Sequence, residues 1–135
     1  MKMIKIFSDM GITEEEYEDL IEQNKQIEAL DEDEIIEMIN LLKAMKCSDE
    51  IVKNTILSDA FYLTRIKTDI QKTVLKLNDM GLTSDEIVDL IDGYPYILEK
   101  DDFEITEFVN SKRDEGLSKE EICELILSNP SVIDE

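Results

Sequence analysis

Residues 77–109 read LNDMGLTSDEIVDLIDGYPYILEKDDFEITEFV, and the fold is decided in this stretch. Leu77 and Met80 end a run of helical spacing. Gly81 follows, suited to the left-handed position that closes a helix, where a Cβ would be strained. Thr83 can cap the next helix, with Glu86 three residues on to complete a capping box. Ile87, Leu90 and Ile91 then keep helical spacing. Pro95 stops this short helix, because the residue before a proline avoids helical geometry. Tyr96-Ile97-Leu98 forms an apolar turn expected to plug the core, and a longer helix starts near Asp101.

The same signals recur along the chain, and internal repetition is the first thing to seek in a sequence. GITEEEYEDLI begins at Gly11, GLTSDEIVDLI at Gly81 and GLSKEEICELI at Gly116. Gly81 and Gly116 are 35 residues apart, and Gly11 lies two such steps before Gly81. Pro130 repeats Pro95 at the same step, and Ile35, Ile70 and Ile105 align, as do Ile39, Val74 and Val109. Thr13/Glu16 and Ser118/Glu121 repeat the Thr83/Glu86 pair. The missing copy falls at KCSDEIVKNTI, where Lys46 replaces the glycine. There Ser48–Val52 matches Ser84–Val88 letter for letter at an offset of 36, which implies one residue lost from that loop. Lys46 is then expected either to take a strained left-handed cap or to end its helix differently.

The expected fold is all-α: a solenoid of repeats about 35 residues long, each a short helix, a Pro/apolar turn and a longer helix. The pattern sets a leading helix at 2–10, repeats at about 11–45, 46–80 and 81–115, and a partial fourth at 116–135, in one domain; the hand of its curvature is left open. The long helices, at about 31–45, 66–80 and 101–115, bury Ile35, Met38, Ile39, Leu42 and Met45 in the first copy. The second copy buries Ile66, Ile70, Thr73, Val74, Leu77 and Met80, and the third Phe103, Ile105, Phe108 and Val109. An unfinished last repeat leaves an end that allows self-association.

The chain has 135 residues, 42% hydrophobic and 36% charged, with four glycines, two prolines and no Trp. This favours helices over an all-β fold, which needs more turn residues. No apolar run approaches the ~20 residues of a membrane span. MKMIKIFSDMG reads as an amphipathic helix rather than a signal peptide, so a cytoplasmic location away from membranes is expected. Cys47 and Cys123 lack metal or redox spacing and read as reduced, packed thiols.

Charge is the unusual quantity. There are 14 basic and 34 acidic residues, a net charge of −20. Residues 1–46 carry 5 basic and 13 acidic, 47–80 carry 5 and 5, and 81–135 carry 4 and 16. A polyanion repels phosphate over about 8 Å at physiological salt, which disfavours direct nucleic-acid binding.

The run at 77–109 resembles a repeat of the mitochondrial transcription termination factor (mTERF) family: a leucine-rich helix end, Gly, an apolar residue, Ser/Thr, a short helix ending Leu-Ile, Pro, then another helix. RDEGLSKEEICELILSNPSVIDE (113–135) repeats its first half, while the first two repeats lack both prolines. The resemblance implies an α-solenoid with a concave groove that binds nucleic acid through basic residues. This chain departs from it in the sign of its charge.

No histidine is present, which removes the commonest general base and metal ligand. Asp31-Glu32-Asp33-Glu34 and Asp101-Asp102 lack the alternation, central Gly and distal Glu of a calcium loop, and they read as helix caps. No cofactor or metal site is expected, and no enzyme. On the outward face of the long helices the period aligns Glu34, Asp69 and Glu104, and also Glu37, Lys72 and Glu107; these six are the candidate partner-binding residues. A basic stripe, Arg65, Lys67, Lys72 and Lys76, marks the second long helix. Tight nucleic-acid binders neutralise about six to ten phosphates, more than this stripe offers.

Three functions follow. The leading one is a non-catalytic adaptor or inhibitor that binds a basic protein through an acidic repeat surface. A nucleic-acid mimic, blocking a DNA- or RNA-binding protein, is a sharper form of it. mTERF-like nucleic-acid binding through the basic stripe is the third.

Overall fold

Eight α-helices and four short 3-10 helices make up the protein among the residues described, 4–134 of the computed structural model. They are α1 (Lys5–Asp9), α2 (Glu14–Gln23), α3 (Glu32–Ala44), α4 (Asp49–Ser58), α5 (Lys67–Asp79), α6 (Ser84–Gly93), α7 (Asp102–Asp114) and α8 (Lys119–Ser128). Residues 2 and 3 of the expected leading helix, and Glu135, lie outside the described residues. Among the described residues no helix is long and apolar enough to cross a membrane.

The short helices open at Glu14, Asp49, Ser84 and Lys119, and the long ones at Glu32, Lys67 and Asp102. Every step between successive openings is 35 residues. That includes the step into the second repeat, so no residue is lost there, and the identity of Ser48–Val52 with Ser84–Val88 is a one-residue offset that the backbone ignores. Ser48 caps its helix by accepting the Ile51 N–H at 3.2 Å, as Thr83 does for Glu86. Lys46 holds the left-handed position at φ 70°, beside 84° at Gly11, 118° at Gly81 and 97° at Gly116.

The reason is the same pair of hydrogen bonds at every exit. Gly81 N–H donates to the Asn78 carbonyl at 3.0 Å, and Leu82 N–H to the Leu77 carbonyl at 3.3 Å. Lys46 and Cys47 donate likewise to Lys43 and Leu42, at 2.9 and 3.1 Å. This is the Schellman closure, which satisfies carbonyls the helix leaves unpaired and needs a left-handed residue in between.

Contacts divide the chain into two compact units, Met1–Arg65 and Ile66–Glu135. In the first, Phe7 and Tyr17 rings lie 5.4 Å apart over a core that includes Leu20, Ile27, Ile35 and Leu42. Among the described residues its buried polar side chains all find partners. The Tyr62 hydroxyl donates to the Met38 carbonyl at 2.5 Å, and the Asn24 amide donates to the Ala60 carbonyl at 3.0 Å and the Thr64 hydroxyl at 2.9 Å.

In the second unit α5 packs against α7 and the Pro95–Glu99 turn, and Thr73 donates to the Lys100 carbonyl. Ile97 and Leu98 plug the core as expected, but Tyr96, just before them in the tight 3-10 turn, is 44% exposed.

Three other expectations about packing need correction. Ile66 is 64% exposed, because it is the extended N-cap of α5 (φ −80°, ψ 121°) rather than part of its buried face. Phe103 is 66% exposed, since it stands two residues before buried Ile105 and so points to the opposite side of α7. Met45, Val74 and Val109 are half-buried rather than buried.

Candidate interaction surface

The acidic runs at the long-helix starts cap those helices. Asp31 Oδ1 accepts the Glu34 N–H at 2.8 Å, and Glu34 Oε1 accepts the Asp31 N–H at 3.2 Å. Asp101 and Glu104 repeat this at 2.8 and 3.4 Å, and Lys100 Nζ approaches Glu104 at 3.7 Å. Glu34 and Glu104 are therefore capping groups that also face solvent. Asp69 has no such role, because the N-cap of α5 is Ile66, whose side chain cannot accept a hydrogen bond.

Glu37 is exposed on α3 in the first unit; Asp69 and Lys72 are exposed on α5 and Glu107 on α7 in the second. The sequence-derived surface thus falls into separate groups: Glu34 with Glu37 on α3 in the first unit, and Asp69 and Lys72 on α5 with Glu104 and Glu107 on α7 in the second.

The basic stripe is divided too. The Arg65 guanidinium grips Asp59 Oδ2, with Nη2 at 2.8 Å and Nε at 3.3 Å. Asp59 is only 3% exposed and Arg65 21%, and Asp59 Oδ1 also accepts the Phe61 N–H at 3.1 Å. Arg65 thus neutralises a buried carboxylate at the end of α4. Lys67 opens α5, Lys72 stands at its middle, and Lys76 follows one turn later in its last turn.

The densest carboxylate surface lies on the short helices. Glu14, Glu15, Glu18, Asp19 and Glu22 are all exposed on α2, and Asp85, Asp89 and Asp92 on α6, and neither helix contains a basic residue. Stepping along the long helices passed over these rows, although their i, i+4 spacing was readable in the letters.

Each compact unit also carries a cleft beside the end of a long helix. In the first it holds about 380 Å³, bordered by α1, α3 and α4. In the second it holds about 160 Å³, bordered by α5, α7 and α8, with Lys76, Arg113 and Lys119 on its wall. Sequence reasoning noted only the first of these three cations, because the other two come from different helices.

The thiols are packed. Cys47 is buried, and half-buried Cys123 donates to the Met80 carbonyl at 3.3 Å. Burial pushes the Cys123 thiol up, away from the reactive thiolate.

The repeated helix–turn–helix geometry agrees with a sequence comparison: residues 1–134 match the mTERF family. The chain belongs to the mTERF family. No curated protein matches it. Membership makes it a helical-repeat protein of a family associated with nucleic-acid binding. Within that family framework this mTERF chain presents two short helices, α2 and α6, that carry carboxylates and no base, and a net charge of −20.

Proposed function

We propose that this mTERF-family chain is a non-catalytic adaptor or inhibitor that docks a protein with a basic surface onto its carboxylate-bearing short helices. The observation that carries this reading is the exposed face of α2, with five carboxylates and no base in ten residues. Such a face draws a cationic partner in by long-range attraction and repels polyphosphates. The same rows are suited to imitate a phosphate backbone, which makes the site of a nucleic-acid-binding protein one form of partner.

The test is affinity capture with the whole chain and with an E15Q/D19Q/E22Q variant, at low and high salt. A basic protein that binds the parent, weakens steeply with salt and is lost with the variant supports the proposal. A partner retained equally by the variant, or indifferent to salt, sinks it. If that partner binds nucleic acid, competition by an oligonucleotide identifies the mimic form.

Family membership favours a second reading, direct nucleic-acid binding through Lys72 and Lys76. A gel shift at low salt that Lys72→Glu abolishes would establish it in place of the first.

A further inference from the structure

The two clefts are the same site two repeats apart, with opposite charge. A step of 70 residues carries every wall residue of the first onto the second: Asn40 onto Asn110, Asp9 onto Asp79, Lys43 onto Arg113, Asp49 onto Lys119 and Ile6 onto Lys76. The first cleft therefore has one cation against two carboxylates, and Lys43 Nζ pairs with Asp49 Oδ1 at 3.3 Å. The second has three cations against Asp79 alone. Arg113 has lost the acid that its counterpart pairs with, and among the described residues none of the three cations forms an ion pair.

Helix dipoles explain only part of this. Lys76 and Arg113 lie in the last turns of α5 and α7, where a cation is favoured. Lys119 is the first residue of α8, where the dipole disfavours it; the other short helices open on Glu14, Asp49 and Ser84. Its alkyl stem is seated as well. A Cβ added at Gly81 would lie 2.9 Å from Lys119 Cε, so the bare glycine leaves room for the stem to cross the helix exit. Three like charges thus line one cleft in a chain with carboxylates to spare.

We propose that the cleft walled by Lys76, Arg113 and Lys119 binds a single phosphoryl group, carried by a small phosphorylated ligand. Its dianion is matched by the cleft's excess of positive charge, with the fork of Arg113 offering paired N–H donors and Asn110 a neutral polar contact. A small ligand fits the setting better than a polynucleotide, whose further phosphates would meet the surrounding carboxylates. This site is independent of the acidic docking surface proposed above.

The experiment is titration of the whole chain with inorganic phosphate, followed by amide NMR at constant ionic strength, with chloride as the control. Saturable shifts around Asn110–Lys119, without matching shifts around Asn40–Asp49, are expected. Lys119→Asp restores the arrangement of the first cleft and should weaken binding by at least about tenfold. Lys119→Ser, with the residue that opens α6, should weaken it less, and unchanged dispersion of the spectra shows that both variants fold. No saturation, equal shifts at both clefts, or unchanged affinity in Lys119→Asp overturns the proposal. A short oligonucleotide that binds more tightly than its number of phosphates accounts for, and is likewise weakened by Lys119→Asp, would reassign the site to a nucleic-acid backbone.

Discussion

Lys46 shows how much a single residue can withstand. It bears a Cβ at φ 70°, in a position where three other repeats place glycine, because the two hydrogen bonds closing α3 require that conformation. Lys46→Gly should raise stability by about 0.5–1 kcal/mol, read as a higher thermal midpoint; an unchanged or lower midpoint would show that the lysine is unstrained. The five identical letters at 48–52 and 84–88 suggested a different register, and identity misleads here because the helix exit, not the residues after it, fixes the alignment. Tyr62 is the converse case. Burial holds its hydroxyl protonated far above the usual tyrosine range, so it donates to Met38 throughout the physiological range. Tyr62→Phe leaves that carbonyl without its partner and should cost about 1–2 kcal/mol in urea unfolding.

At the scale of the element, the helix starts were the most legible feature, because a capping box is written within four residues. Thr13/Glu16, Thr83/Glu86 and Ser118/Glu121 all form as the letters suggest. Thr83→Ala should cost about 1 kcal/mol, measured by denaturant unfolding. What the letters hid were pairings across elements. Arg65 read as part of an outward stripe, yet it serves Asp59, six residues earlier. Truncating the buried partner of such a pair is costly, so Asp59→Ala should lose about 3 kcal/mol. The Pro130–Asp134 turn is held similarly, with Asp134 taking hydrogen bonds from Lys100 and Tyr94. Those bonds hold the Asp134 carboxyl below its ordinary value, led by Lys100, while the Asp134 bond raises Lys100. A depressed carboxylate stabilises the fold above its ordinary pKa and loses that effect as pH falls through the lower folded value. The stability gap between the parent chain and Asp134→Asn should therefore be full at neutral pH and close in strong acid. A gap independent of pH would show that the carboxylate charge is not what holds the turn.

For the whole molecule, the repeat and the all-α class were legible because a period of 35 imprints itself on every copy. The charge contrast between the clefts was not, since it emerges only when residues from three helices are brought to one wall and compared at two periods. The net charge of −20 sets the molecule's response to salt. Carboxylates crowded within α2, and likewise within α6, repel their neighbours on the same helix, and screening should relieve them, so added sodium chloride should raise the thermal midpoint at neutral pH. A midpoint that falls with salt would mean that attractive pairs outweigh that repulsion.

The shared exit geometry of the long helices has an engineering corollary. At Gly81 and Gly116 the backbone leaves one helix and enters the next through the same two hydrogen bonds, so residues 81–115 form an interchangeable cassette. A second copy spliced in after Glu115 would find at its seam the junction already present there, and the chain could be lengthened one module at a time without redesigning a single joint.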